Sequence, residues 1–103
     1  MAIKTNQSTD GTSSYSHEVR ASVQDLINVY GEPTFEDNTG RDKVNFEWEM
    51  ETEEGSVFTI YDWKEYRKLS RTKKILWHIG AKDVRTSSDA QSEVLKDLVT
   101  YVK

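Results

Sequence analysis

Between Val44 and Glu51 apolar and polar residues alternate without a break, Val44, Phe46, Trp48 and Met50 against Asn45, Glu47, Glu49 and Glu51. A period of two puts the first set on one face of an extended strand and the second on the other, so this segment demands a sheet with one dry face. Glu53-Glu54-Gly55 then reads as a hairpin turn into a second strand, Ser56–Trp63. There Val57, Thr59, Tyr61 and Trp63 share one face, and Phe58, Ile60 and Asp62 share the other. Both faces carry large groups. One is expected to meet helices and the other a partner or ligand.

The remaining elements follow from the same periodicities. Tyr15, His17 and Val19 alternate in a first strand ending at Ala21, and Ile75–Ile79 form a last one, with Ile75, Trp77 and Ile79 opposite Leu76 and His78. Ser22 is a candidate N-cap for a short helix, Val23–Tyr30, whose Val23, Leu26, Ile27 and Tyr30 make one apolar stripe. Gly31 supplies its C-terminal stop, and Pro33 prevents continuation. Glu36 to Asp42 reads as a polar loop. Ser88-x-x-Gln91 resembles a capping box opening a final helix, with Val94, Leu95, Leu98, Val99 and Val102 on its apolar face and Lys96 and Lys103 in its C-terminal half. Residues 1–14, rich in Ser, Thr, Asn, Gln and Gly, read as a flexible polar tail, with some order near Ile3. Residues 15–103 then form a single α+β domain: an antiparallel β-sheet of about four strands with two helices packed on one face, in the order β-α-β-β-β-α.

Composition excludes several classes of function. A chain of 103 residues is one domain, burying only about 60–70% of its unfolded surface, so its core is thin and self-association would help it. A net charge of −4 argues against a general nucleic-acid binder, and DNA is not an expected partner. With no cysteine, disulfides and thiolate metal sites are excluded; His17 and His78 are the only histidines, and no spacing supports zinc. No cofactor is expected. Lacking any apolar run of signal or membrane-span length, the chain is expected in the cytoplasm.

Seven of the eleven aromatic residues fall between Phe46 and Trp77, and in the basic run 64–74 Lys64, Arg67, Lys68, Arg71, Lys73 and Lys74 are opposed only by Glu65. Rings stack on bases and cations pair with phosphates, so a local basic patch on an acidic body suits a small nucleotide-type anion. Tyr61 and Trp63 are read as a stacking platform, with core packing the alternative; Trp48 and Trp77 are read as core. Arg67 and Arg71 stand out in the basic run because a guanidinium forks onto phosphate, although a charge run is commonly a solvated loop. His78 is either a donor to a phosphate or base edge or an ordinary surface histidine. Asp62 accepts from a base edge or, as the simpler reading, pairs with Lys64 or Arg67. Glu47, Glu49 and Glu51 are read as a solvent face rather than catalytic carboxylates. The candidate ligand set is therefore Tyr61, Trp63, Lys64, Arg67 and His78, with no catalytic set beside it.

Four segments carry a resemblance: Gly31-Glu32-Pro33, Val44-x-Phe46-x-Trp48, Thr59-Ile60-Tyr61-Asp62-Trp63-Lys64 and Trp77-His78-Ile79-Gly80. From Tyr15 to the end of the last helix the chain resembles a widespread set of small accessory proteins of tailed phages. It is identified there as a member of the anti-CBASS sponge family. That resemblance implies a non-enzymatic homo-oligomer, such as a tetramer, acting in the host cytoplasm in immune evasion. Such a protein sequesters a cyclic dinucleotide signal such as 3′,3′-cGAMP without degrading it. One departure is Ala81, where many relatives carry a second glycine, which puts the backbone at Gly80 in question. The alternative function is a protein–protein inhibitor of a host defence or metabolic enzyme, using the same aromatic and basic surface; a third is a small hydrolase acting on the same messengers.

Overall fold

The alternating segment forms the strand on which the rest of the sheet is hung. A computed structural model describes residues 1–101; Val102 and Lys103, assigned above to the last helix, lie outside the described residues. The elements are β1 (Ile3–Lys4), β2 (Ser13–Ala21), α1 (Val23–Tyr30), β3 (Phe35–Glu36), β4 (Phe46–Glu51), β5 (Val57–Tyr61), β6 (Ile75–Ala81) and α2 (Val84–Tyr101). All pairings are antiparallel, in the order β1-β4-β5-β6-β2, with β3 also on β4. The α+β class with an antiparallel sheet and two helices is the one expected, but the sheet has six strands rather than about four. The additional strands, β1 and β3, are two residues long, too short to show a period. They share the outer edge of β4, Ile3 opposite Glu51 and Phe35 opposite Glu47, so that edge is not left bare.

Register sorts the side chains. Trp48 opposes Ile60, which opposes Ile79, and Met50, Phe58 and Ala81 form the next row, all fully buried. Val19 opposite Trp77 extends this face to β2, and Val23, Leu26, Val29 and Tyr30 of α1 with Ala90 and Val94 of α2 join it in one core cluster. The two buried tryptophans meet edge to face at 5.5 Å between ring centroids. Trp77 Nε1 donates to the Ala21 carbonyl just before α1 at 2.8 Å, and Trp48 Nε1 donates to Gly31 O just after it at 2.9 Å. Both ends of the helix are thereby held to the sheet.

Helix α1 has the expected bounds. Ser22 and Asp25 form a reciprocal capping box, each side chain accepting from the other's backbone N–H at 3.0 Å, and Gly31 stops the helix at φ 83°. The opening of α2 is a correction. Asp83 accepts from Thr86 N–H at 2.7 Å, starting the helix at Val84, so the Ser88–Gln91 pair lies inside it. Gln91 Nε2 instead donates to the Glu18 carbonyl on β2 at 2.9 Å.

Residues 1–14 are a second correction. Ala2 is wholly buried, and its N–H donates to Asp97 Oδ2 at 3.0 Å, a carboxylate that also accepts from Tyr30 Oη at 2.6 Å. Burial, with the Asp97 hydrogen bond second, pushes the Tyr30 hydroxyl pKa far above its ordinary value and keeps it a donor. The segment docks through one small apolar side chain and its backbone, which leaves no stripe for periodicity to detect. Deleting residues 1–12 should therefore destabilise the fold by about 2 kcal/mol or more, since a buried carboxylate loses a donor and β4 loses a partner. Urea denaturation of the truncated chain measures this, and an unchanged midpoint would show that the segment only rests on the surface.

Candidate functional site

The opposite face of the sheet is built by the other half of the same alternation. Register places Glu51 beside Val57, Glu49 beside Thr59 and Gly80, and Phe35, Glu47, Tyr61, His78 and Glu18 in a single row across five strands. Residues 5–12 cross from one edge of the sheet to the other over the first two rows. Thr5 Oγ1 and Gln7 Nε2 donate to Glu51 Oε2 at 3.1 and 2.7 Å, and Thr9 Oγ1 donates to Glu49 Oε1 at 3.3 Å. Val57 and Thr59 are buried although they face outward. The third row is left open.

In that row Tyr61 stacks on His78 with ring centroids 5.6 Å apart and 25° between planes. Gly80 permits this seat. A Cβ there would stand 3.3 Å from the Tyr61 ring and 2.5 Å from Thr59 Oγ1, while its φ is not left-handed. Gly80 is thus required for space rather than for backbone freedom, and neighbouring Ala81 simply faces the core opposite Phe58. Partial burial raises the Tyr61 hydroxyl pKa, outweighing a hydrogen bond with Ser14 that acts the other way, and the Glu47 charge adds to the rise, so the phenol stays neutral. His78 Nε2 lies 3.8 Å from Glu18 Oε2.

Trp63 meets Tyr61 edge to face at 6.2 Å and is 39% exposed. The ammonium groups of Lys64 and Lys43 lie 5.6 and 5.7 Å from its ring centroid, within cation–π range. Four of the five expected residues, Tyr61, Trp63, Lys64 and His78, are therefore brought together. Arg67 stands apart, its guanidinium donating to Glu65 at 2.9 Å on the surface. The other cations of the run, Lys68, Arg71, Lys73 and Lys74, are solvent-exposed, Lys74 reaching Asp25 at 4.0 Å.

What aims Trp63 and Lys64 is a pair of interlocked loops. Asp62 is fully buried and pairs with neither Lys64 nor Arg67, the partners expected for it; it accepts from the backbone N–H groups of Asn45 and Phe46 at 2.9 and 2.8 Å and from Asn45 Nδ2 at 3.0 Å. Asn45 Nδ2 also donates to Arg67 O at 3.1 Å, Asn38 binds both backbone groups of Leu69, and Lys64 N–H donates to Lys43 O at 2.7 Å. Three donors converging on one carboxylate satisfy it without a cation. Lys64 and Tyr66 adopt left-handed φ of 55° and 49°, strained positions that the loop contacts sustain. Gly40 lets the loops touch, since a Cβ on it would lie 2.6 Å from Arg67 Cα and its φ is 77°.

Sequence reasoning missed three residues here: Lys43, Phe35, which is 45% exposed, and Glu47. Glu47 sits between Phe35 and Tyr61 in register, is only partly exposed, and has no hydrogen-bond or ion-pair partner among the described residues. Burial, with Glu49 adding, raises its pKa above the ordinary glutamate range. Its position was available in the sequence, because a turn centred on Glu54 sets Glu47 opposite Tyr61. A hollow at the other end of the hairpin, lined by Glu53, Glu54, Asp89 and Glu93 with Arg85, is acidic and unsuited to phosphate. Among the described residues no His, Cys, Asp and Glu cluster fits a metal ion, and no helix is long and apolar enough to cross a membrane.

Comparison with known protein families, with curated proteins and with solved structures finds no match to this chain.

Two substitutions test this geometry. Gly40→Ala should cost more than about 2 kcal/mol, left-handed strain alone contributing about 1–2, with wild-type stability excluding the close loop contact. For Glu47, the native state holds its proton at pH values where the unfolded chain has released it, so stability falls as pH rises from the ordinary glutamate range through the raised value. Glu47→Gln should therefore raise Tm at about pH 7 and bring no gain at about pH 3, where both states are protonated. A lower Tm at neutral pH would show that the charge is stabilising.

Proposed function

We propose that this chain is a non-enzymatic binding protein of phage origin that sequesters a cyclic oligonucleotide defence signal, such as 3′,3′-cGAMP, in the host cytoplasm. The observation that carries this reading is the open row itself. A stacked Tyr61–His78 pair lies beside an exposed indole attended by two ammonium groups. Bases stack on such rings at about 1–3 kcal/mol each, and the Lys43 and Lys64 ammonium groups, 5.7 and 5.6 Å from the Trp63 ring centroid, supply charge for phosphate beside that platform. The resemblance of the Tyr61-Asp62-Trp63 and Trp77-His78-Ile79-Gly80 segments to phage sponge proteins points the same way. Sequestration requires tight binding and no chemistry, in keeping with a surface that offers platforms and cations.

The row is a shelf rather than a cavity, and a base stacked on it would keep one face in water. A second copy covering that face is the economical remedy, which favours a homo-oligomer. Self-association also has a place to form: β2 is an edge strand, and beside it α2 exposes Leu95 and Val99, the latter 85% exposed. The flatness of the shelf equally favours the rival reading, an inhibitor of a host enzyme whose hot spot is Tyr61, Trp63 and Tyr66.

Calorimetry with cyclic dinucleotides separates the two readings, because the inhibitor would bind none. For the sponge, Trp63→Ala should weaken binding by about 5-fold to more than 100-fold, from one stacking contact. Because the indole is half in solvent, its Tm should barely move. Lys64→Ala should weaken binding and flatten its salt dependence. Ligand recovered intact from heat-denatured complex would distinguish sponge from hydrolase, and unchanged affinity in Trp63→Ala would remove the site.

A further inference from the structure

We infer that Glu47 reads the base stacked on Tyr61 and that it selects guanine. This rests on the nucleotide-binding reading above and adds the chemical class of base. Glu47 lies directly across the strand pair from Tyr61, with Phe35 across from it on the other side, so a base lying on the tyrosine ring turns one edge toward this carboxylate. The neighbouring glutamates of the same face are occupied, Glu49 by Thr9 and Glu51 by Thr5 and Gln7. Glu47 alone of the three has no donor among the described residues, although the sheet keeps it partly buried. A carboxylate held there without a donor costs stability, and a ligand bringing two donors removes that cost.

Guanine is the base whose pairing edge carries adjacent donors, N1–H and the 2-amino group, at a spacing that both oxygens of a carboxylate can accept together. Adenine presents one amino donor beside the N1 lone pair, which a carboxylate repels. Its ring would stack on Tyr61 equally well, so discrimination falls on Glu47. Lys43 and Lys64 lie on the Trp63 side of the row, leaving phosphate and base edge to opposite charges. Recognition by position of charge also explains how a row holding Glu47 and Glu18 can accept an anion.

The test titrates the full chain with 3′,3′-cyclic di-GMP and 3′,3′-cyclic di-AMP by calorimetry, in wild type and in Glu47→Gln, with Tm recorded for both. Wild type should prefer the guanine ligand by about 5-fold to 150-fold, the worth of one good bidentate base contact. Glu47→Gln, folded and at least as stable, should lose most of that preference through weaker guanine binding. Its adenine binding should be no weaker than in wild type, because the amide offers the adenine N1 lone pair a donor in place of a repelling oxygen. Equal wild-type affinities, or a preference that survives in Glu47→Gln, would overturn the inference and leave nucleotide binding standing. Binding of neither ligand would remove the nucleotide reading and this inference with it.

Discussion

The edge-to-face contact of Trp48 and Trp77 is the interaction on which the rest of the molecule depends. It fills the centre of a thin core, and the two indole N–H groups reach past it to opposite ends of α1. Each buried indole needs an acceptor, and the carbonyls flanking a short helix need donors; satisfying both needs at once fixes the helix on the sheet. An eight-residue helix is marginal in isolation, so this tertiary anchoring is what maintains it. With the apolar face thus closed, the polar half of every strand is committed to the other side.

That second face is divided by the first dozen residues. A row of three glutamates on one strand would repel itself in open water, and the crossing segment relieves two of them with hydroxyl and amide donors while burying Val57 and Thr59. The third glutamate is left between aromatic neighbours with its charge uncompensated and its pKa raised. An uncompensated charge that costs stability where the surrounding rings lie exposed marks the part of the surface that folding alone does not account for. The same neighbourhood holds two residues with left-handed backbone, Lys64 and Tyr66, kept there by the Asn45 and Asp62 network. Strain and unpaired charge thus fall together around Trp63.

Much of this fold was legible in the alternation and capping signals. The β4–β5 hairpin, the α1 boundaries and the burial of Trp48 and Trp77 follow from residue spacing, because each depends on neighbours within a few positions. Tyr61, Trp63, Lys64 and His78 were recognisable as a set by chemistry. Asp62 was misread, since a buried carboxylate satisfied by Asn45 and Phe46 backbone looks, in sequence, the same as one awaiting Lys64. The polar segment 1–14 was misread because docking through Ala2 and backbone hydrogen bonds leaves no pattern. The opening of α2 was misplaced because Ser88 and Gln91 make as good a local cap as Asp83 does.

The sequence by itself determined the dry and wet faces of β4 and the buried stripe of α1, because hydrophobic period is a local property of the chain. It also set Glu47 opposite Tyr61, through the turn at Glu54. It did not foresee that Ala2, Val57 and Thr59 are buried or that Leu95 and Val99, expected on the apolar face of α2, are exposed. Only the tertiary structure decided that His78 lies under Tyr61, that Lys43 and Lys64 attend the same indole, and that Glu47 alone keeps a free carboxylate among the three. Each of those facts joins residues separated by a loop whose path depends on contacts such as Gly40 against Arg67 and Asn38 against Leu69. No local propensity specifies such a path. It is settled when buried donors and acceptors find partners in the assembled fold.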